Sequence, residues 1–250
     1  MTHVQAYLDR IRHTGSTTPT LETLRTIHRA HMLAVPFENL DIALGRKIVV
    51  DEEAFLRKVV EQHRGGFCYE LNGAFAALLR GLGFQVTLLS ARVARSDGSE
   101  SPEFDHLALR VDLNEPRLSD VGFGDSFLEP LAMALAREQS DDAGTFRVIE
   151  DYSHLHVESE QRGHTWKRQY SFTLQPRRLD EFAGMCHYHQ TSPDSHFTQN
   201  RICSMATPEG RITLSGMKLI VTRNGQREER MLGSEQEWSN ELRERFDIVL

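Results

Sequence analysis

The sequence predicts an α+β protein in three stretches: a helical N-terminal third, an antiparallel β middle, and a mixed C-terminal part. Three observations predict it. Apolar residues recur at helical spacing up to Leu82, strand-like runs replace them from Phe84, and two turn signals near the end sit between further strand-like runs.

In chain order, Thr18 to Met32 places Leu21, Leu24, Ile27 and Met32 on one helical face. Asp51 reads as the N-cap of a helix over Glu52 to Gln62, with acidic residues in its first turn. Leu71, Ala74, Phe75, Leu78, Leu79 and Leu82 mark a third helix, introduced by Arg64-Gly65-Gly66-Phe67-Cys68-Tyr69-Glu70. Strands are expected over Phe84 to Val93, His106 to Val111 and Leu118 to Phe123, with Ser96 to Pro102 as an exposed loop. Others follow at Phe146 to Ile149 and Lys167 to Leu174, then a short helix within Arg177 to Met185. Pro208-Glu209-Gly210 and Asn224-Gly225 each predict a hairpin, joining Ile202–Ala206 to Arg211–Leu214 and Leu219–Val221 to Glu229–Leu232. A charged helix from a Ser234 N-cap to Phe246 closes the chain, with Glu237 at the capping-box position.

At 250 residues, 39% hydrophobic and 26% charged, the chain has the composition of a soluble globular protein with a sizeable core. A net charge of −7 and the lack of a Lys/Arg stripe argue against a nucleic-acid binder. No run approaches the ~18 apolar residues of a membrane span, and Met1 to Arg10 carries no apolar leader core. Three cysteines, Cys68, Cys186 and Cys203, form no CxxC pair, and an odd count fits a reducing cytoplasm.

Cys68 stands at a predicted helix N-terminus, where unpaired N–H groups favour a thiolate. The preceding glycines let the backbone approach whatever the sulfur attacks. The alternative is a buried structural cysteine, since position 68 shares the apolar face of Leu71 and Phe75. A nucleophile needs a base, and the base an orienting group. On a strand, Leu107, Leu109 and Val111 take one face and His106 the other, so His106 points away from the aliphatic stripe; the alternative is a surface histidine. Asp120 is a carboxylate in an apolar run and requires a partner. A turn centred on Asn114 sets Asp120 opposite Ala108 and diagonal to His106, ~7–8 Å away between Cα atoms. A one-residue slip would turn it to the other face.

Val35-Pro36-Phe37-Glu38-Asn39-Leu40-Asp41, the Arg64–Asn72 block, Asp105-His106-Leu107, Asp120-Val121-Gly122-Phe123-Gly124 and Thr191-Ser192-Pro193-Asp194-Ser195-His196-Phe197 together resemble the arylamine N-acetyltransferase family. They occur in that family's order and approximate spacing, from about residue 28 to the end. The resemblance implies an N-terminal helical bundle (1–83), a central antiparallel β-barrel (84–185) and a C-terminal α/β lid (186–250), the first two forming a papain-like cysteine-protease-type core. It implies a Cys68–His106–Asp120 triad and ping-pong transfer from acetyl-CoA, through an acetyl-cysteine, to an arylamine, arylhydrazine or N-hydroxyarylamine. Phe37, Phe123 and Phe197, with Phe127 as a further candidate, match aromatics lining the acceptor pocket. Gly124, Ser215 and Gly216 are candidates for CoA contact, and Glu38 and Arg64 for an ion pair behind the cysteine loop. Asp125 adds a negative charge near the expected mouth. No metal, nucleic-acid or membrane partner is expected from the charge, the apolar runs and the donor spacing, and the oligomeric state is left open.

Three other readings share parts of this pattern. A cysteine hydrolase or transglutaminase-like enzyme would use the same triad, with water or another amine completing the reaction. Cys186-His187-Tyr188-His189 and His154-Leu155-His156 gather metal donors, but strand alternation would split the first group between two faces, and no second half stands at zinc-site spacing. A non-catalytic module on the same fold would have no need of all three triad residues.

Overall fold

The computed structural model describes residues 3–161 and 163–250; Met1 and Thr2, at the start of the stretch read for a leader, and Arg162 lie outside it. The N-terminal helices are α1 (His3–Arg10), α2 (Leu21–Ala34), α3 (Leu40–Ala43), α4 (Glu52–Leu56) and α5 (Cys68–Gly81), with β1 (Phe37–Glu38) between α2 and α3. Thr20 caps α2 by accepting from Thr23 N, and Asp51 caps α4 by accepting from Ala54 N. The helix expected from Asp51 is α-helical to Leu56 and continues as a π-helical turn, Arg57–Glu61, in which Lys58 is buried. Helix α5 is buried on almost every side, Leu71, Phe75 and Leu79 packing with Tyr7, Leu24, Ile27 and Phe55.

The middle of the chain is one eight-stranded antiparallel sheet: β2 (Gln85–Val93), β3 (His106–Asp112), β4 (Arg117–Ser119), β5 (Leu131–Ala132), β6 (Gln139–Asp141), β7 (Gly144–Asp151), β8 (His154–Gln161) and β9 (Thr165–Phe172). Their order, β5-β4-β3-β2-β9-β8-β7-β6, curls until the two edges meet. The Gln139 side chain joins them, donating to Ala132 O and accepting from Ala132 N. Strand β3 packs on both faces: Leu107, Leu109 and Val111 join the helical core, and Ala108, between His106 and Arg110, joins the barrel interior with Leu89, Val148 and Tyr170.

A 3₁₀ turn (Leu179–Phe182), α6 (Ala183–Thr191) and α7 (His196–Gln199) lead to β10 (Ile202–Thr207), β11 (Gly210–Ser215), β12 (Lys218–Arg223), β13 (Gln226–Met231) and α8 (Glu235–Phe246). The second sheet runs β1-β10-β11-β12-β13, so two residues from the N-terminal part form its inner edge. Both expected hairpins form; at the second, Asn224 and Gly225 adopt φ 49° and 76°, the left-handed pair of a two-residue turn. Ser234 caps α8, whose Trp238, Leu242 and Phe246 cover Cys203, Leu214 and Leu219.

Three expectations need correction. The strand read over Leu118 to Phe123 ends at Ser119, because Asp120 Oδ1 accepts from Gly122 N and bends the chain. The helix within Arg177 to Met185 begins as the 3₁₀ turn and runs on to Thr191. Cys186 and His189 are therefore helical, and the alternation argument applied to them does not hold. Strand β8 was not anticipated: its mostly polar run, His154-Leu155-His156-Val157-Glu158-Ser159-Glu160-Gln161, hides the period-2 signal. Among the described residues, no helix is long and apolar enough to cross a membrane.

Candidate active site

The Cys68 loop is fixed from behind by main chain. Glu38 N donates to Gly66 O at 2.8 Å, aligning the loop beside β1. A Cβ at Gly65 would overlap the Pro36 carbonyl, and one at Gly66 would lie 2.6 Å from Glu70 Cβ. The glycines thus permit the loop to press on its support.

Beneath the loop lies a cluster of five charged side chains. Arg64 reaches Glu38 at 2.7 Å, forming the expected ion pair, and Asp41 at 3.2 Å. Lys58 Nζ reaches Asp41 at 2.7 Å, Glu70 at 2.8 Å and Glu38 at 3.6 Å. Glu70 Oε2 also accepts from Phe67 N at 3.1 Å, tying the cluster to the residue before Cys68. Burial pushes the Glu70 carboxyl up to about 7, with Glu38 repulsion adding to it and Lys58 opposing it. Burial works against the Lys58 ammonium, but the three carboxylates it faces push it up as well, so it keeps its charge. Three acids face two bases, so with every group ionised the cluster carries one negative charge in excess.

Cys68 begins α5 and is 4% exposed; its Sγ donates weakly to Asp105 O at 3.9 Å. Gly122 packs on it: a Cβ there would lie 2.8 Å from Cys68 Cα and 2.7 Å from Asn72 Nδ2. The helix terminus does not dominate the thiol as expected. Burial pushes Cys68 well up, the Asp105 and Asp120 carboxylates add to this, and a contact with the Leu107 main chain opposes it. Ionisation therefore needs a base to take the proton.

His106, 3% exposed and not a surface residue, begins β3, and its Nε2 lies 2.6 Å from Asp120 Oδ2. The register is that of a turn centred on Asn114, Leu109 pairing with Ser119 and Val111 with Arg117, so Asp120 emerges opposite Ala108. Asp120 is fully buried. Burial would raise its carboxyl, but His106, Asn72 Nδ2 at 2.8 Å and Gly122 N at 3.0 Å hold it below the usual carboxylate range.

Sequence reasoning missed two supports of this pair. Asn72, one turn after Cys68, donates to Asp120 Oδ1 and Leu107 O and accepts from Val121 N. A polar residue at i+4 on the apolar face of α5 was the available signal. His28 donates from Nδ1 to Leu128 O at 2.8 Å, and its Nε2 accepts from Asp120 N at 3.2 Å. Burial lowers His28 to about 4, so it stays neutral with the tautomer these bonds require. Its signal was a histidine on the stripe of Leu24 and Ile27.

The aromatic candidates part company. Phe123 stands edge-on to His106 at 5.4 Å. Phe37 lies 6.1 Å from Phe197 and packs on Gly124, where a Cβ would sit 3.4 Å from the Phe37 ring. Phe197 is held by Asn39, whose Nδ2 donates to Phe197 O and Asn200 O. These three are half-buried, whereas Phe127 is fully enclosed in the barrel core between His28 and Phe146. Ser215 and Gly216 form the β11–β12 turn, where Ser215 Oγ accepts from Asn200 Nδ2 and Gly216 N donates to Arg201 O. A cavity of about 350 Å³ opens beside Phe123, lined also by Asp125, Ser126, Phe146, Lys167 and Gln169. A second, of about 500 Å³, lies where Asp125 and Asp142 face Thr207 to Arg211. Arg211 pairs with Asp125 at 3.0 Å, offsetting the charge noted at the expected mouth.

Residues 20–250 match the N-acetyltransferase family profile. The chain is 34% identical over 273 residues to a pineal-gland arylamine N-acetyltransferase of Gallus gallus, covering 99% of this chain and 94% of that protein. Among solved structures, arylamine N-acetyltransferase from Salmonella typhimurium superposes with a TM-score of 0.94 at 31% identity, covering 99% of this chain and 92% of that one. The Mycobacterium marinum enzyme in complex with CoA does so at 0.91 and 31% identity, covering 98% and 92%.

Proposed function

The chain belongs to the arylamine N-acetyltransferase family, and from that premise we propose that Cys68 is its nucleophile, His106 its general base and Asp120 the orienting carboxylate. The chain is an acetyl-CoA-dependent acyltransferase acting through an acetyl-cysteine. The observation that carries the residue assignment is the 2.6 Å His106–Asp120 contact beside a cysteine at a helix N-terminus.

Asp120 engages Nε2, which leaves Nδ1 as the nitrogen that can take a proton. As the thioester arrives, the Cys68 thiol passes its proton to His106 and the sulfur attacks the acetyl carbonyl. N–H groups of the first turn of α5 are the natural donors to the oxyanion. The new S–C bond forms, the CoA S–C bond breaks, and the imidazolium returns its proton to the departing thiolate. In the second half, the amine nitrogen attacks the acetyl-cysteine and His106 removes the amine proton; the N–C bond forms, the Cys68 S–C bond breaks, and that proton restores the thiol.

Phe37, Phe123 and Phe197 offer edges and faces to an aromatic amine or hydrazine. Gly124, packed on Phe37, and the Ser215–Gly216 turn are the residues we assign to contact with the donor. Three unpaired buried cysteines fit a reducing cytoplasm.

Incubation with acetyl-CoA alone should add one acetyl group to the Cys68 peptide, read by mass spectrometry, and an added arylamine should remove it. Acetylation elsewhere with Cys68 unmodified contradicts the assignment. Release of CoA at the same rate with and without amine would favour the hydrolase reading.

A further inference from the structure

A second imidazole–carboxylate pair stands beside the Cys68 loop, and the triad makes no use of it. His189 of α6 is buried, with Nε2 3.2 Å from Asp105 Oδ1. Its Nδ1 lies 3.2 Å from the Ser195 hydroxyl, which caps α7 by accepting from Phe197 N. Phe67, Tyr69, Tyr188 and Phe197 box the ring at centroid distances of 6.5, 6.2, 5.7 and 5.1 Å. His189 Nε2 lies within reach of the carboxylate without being aimed squarely at it. Among the described residues, no other charged side chain lies within ion-pair distance of His189.

Asp105 is the link to the reaction. Its backbone O accepts from the Cys68 thiol at 3.9 Å and from Tyr69 Oη at 3.1 Å, and the next residue is His106. Burial works against its carboxylate, but His189 and Ser101 hold it ionised. That negative charge in turn opposes a thiolate at Cys68. A carboxylate so close to a nucleophilic sulfur is a handicap unless something offsets it.

We propose that His189 is a positioning residue for the nucleophile: it offsets the Asp105 carboxylate and moors the Asp105–His106 corner, so that Cys68 can lose its proton there. The inference rests on the reading of Cys68 above. The titratable groups facing His189 are Asp105, Tyr69 of α5 and Tyr188 of its own helix; of these, only Asp105 carries a charge near neutral pH.

The test is the rate of Cys68 alkylation by iodoacetamide against pH, localised by peptide mass spectrometry on the full chain. Wild type is compared with His189→Leu, His189→Gln, and His189→Leu combined with Asp105→Asn. A unit charge within ~12 Å at an effective dielectric near 20 moves a thiol by about one pH unit. His189→Leu should therefore slow alkylation at pH 7 by about tenfold or more, and His189→Gln, which keeps a donor of similar reach, by much less. The double variant should return to within about twofold of wild type, which a purely structural brace would not do.

A His189→Leu profile lying on that of wild type, or a double variant as slow as the single, overturns the proposal. If His189→Leu does not fold, His189→Asn, polar but too short to reach Asp105, replaces it and is read the same way. Acetyl-CoA labelling of wild type keeps the two readings apart. Acetylated Cys68 with an unmoved profile sinks this proposal alone, whereas no acetyl-Cys68 in wild type sinks the reading beneath it.

Discussion

Replacing Lys58 with methionine tests whether the charge cluster under the cysteine loop holds the fold. Met keeps the length of the stem and removes the cation 2.7 Å from Asp41 and 2.8 Å from Glu70. Glu38, Asp41 and Glu70 are then left with Arg64 alone. Removing one partner of a buried ion pair costs about 3–5 kcal/mol, and this should appear in full near pH 8. The loss should be smaller at lower pH, for a reason that fixes its sign. The Glu70 carboxyl is raised in the folded protein to about 7 from an ordinary value of 4.5, so the fold binds its proton more tightly than the unfolded chain. That contribution is complete below about 4.5 and lost as pH rises through about 7. At pH 5.5 a protonated Glu70 no longer needs Lys58, and the loss should shrink by about 1–2 kcal/mol, one pKa unit being about 1.4. Urea unfolding followed by tryptophan fluorescence at pH 5.5 and 8 reads this directly. Lys58→Met with Glu70→Gln should recover at least half of the loss at pH 8. Equal losses at both pH values, or a double variant no more stable than Lys58→Met, would refute the reasoning.

Asp120→Asn should lower the rate of Cys68 acetylation by roughly 10²–10⁴-fold while the protein stays folded, since His106 loses its anionic partner; a loss below tenfold in stopped-flow assays contradicts the assignment. The opposite pH limb comes from Asp120 and Asp41, whose carboxyls are held below their ordinary range. Their contribution is present above about pH 4 and lost as pH falls through the lowered values, so Asp120→Asn should flatten the acid side of the stability curve. Gly122→Ala should leave expression near normal but cut acetylation at least tenfold, because its methyl must displace Cys68 or Asn72. Phe197→Ala should raise the acceptor KM several-fold and leave acetylation by acetyl-CoA within about threefold; equal losses in both half-reactions would place Phe197 elsewhere in the cycle.

What could be read from the chain was what neighbours in sequence decide. Helices α2 and α5 and strands β2 and β3 carry local periods, and Asn224-Gly225 sets its own turn. The His106–Asp120 contact was legible for the same reason: a short hairpin separates the two residues, and its register follows from where the turn lies. Asn72 and His28 escaped because each meets Asp120 across 48 and 92 residues of chain, beyond the reach of any local pattern. The barrel was expected from the family resemblance alone, since its closure runs through a side chain, Gln139, and leaves no local period. Lys58 gave no sign, since a buried lysine is recognisable only once its three carboxylates are in place.

Strand β1 lies between the cysteine loop, bridged at Gly66, and β10, paired through Ser204 and Cys203. A nascent chain emerging from the ribosome therefore makes its nucleophile long before the ladder that steadies it. Until Ile202–Thr207 clears the exit tunnel, Phe37–Glu38 has no neighbour on its outer side, and a polypeptide arrested before that point should stay catalytically silent. The second sheet, made late in translation, is what gives β1 its outer neighbour.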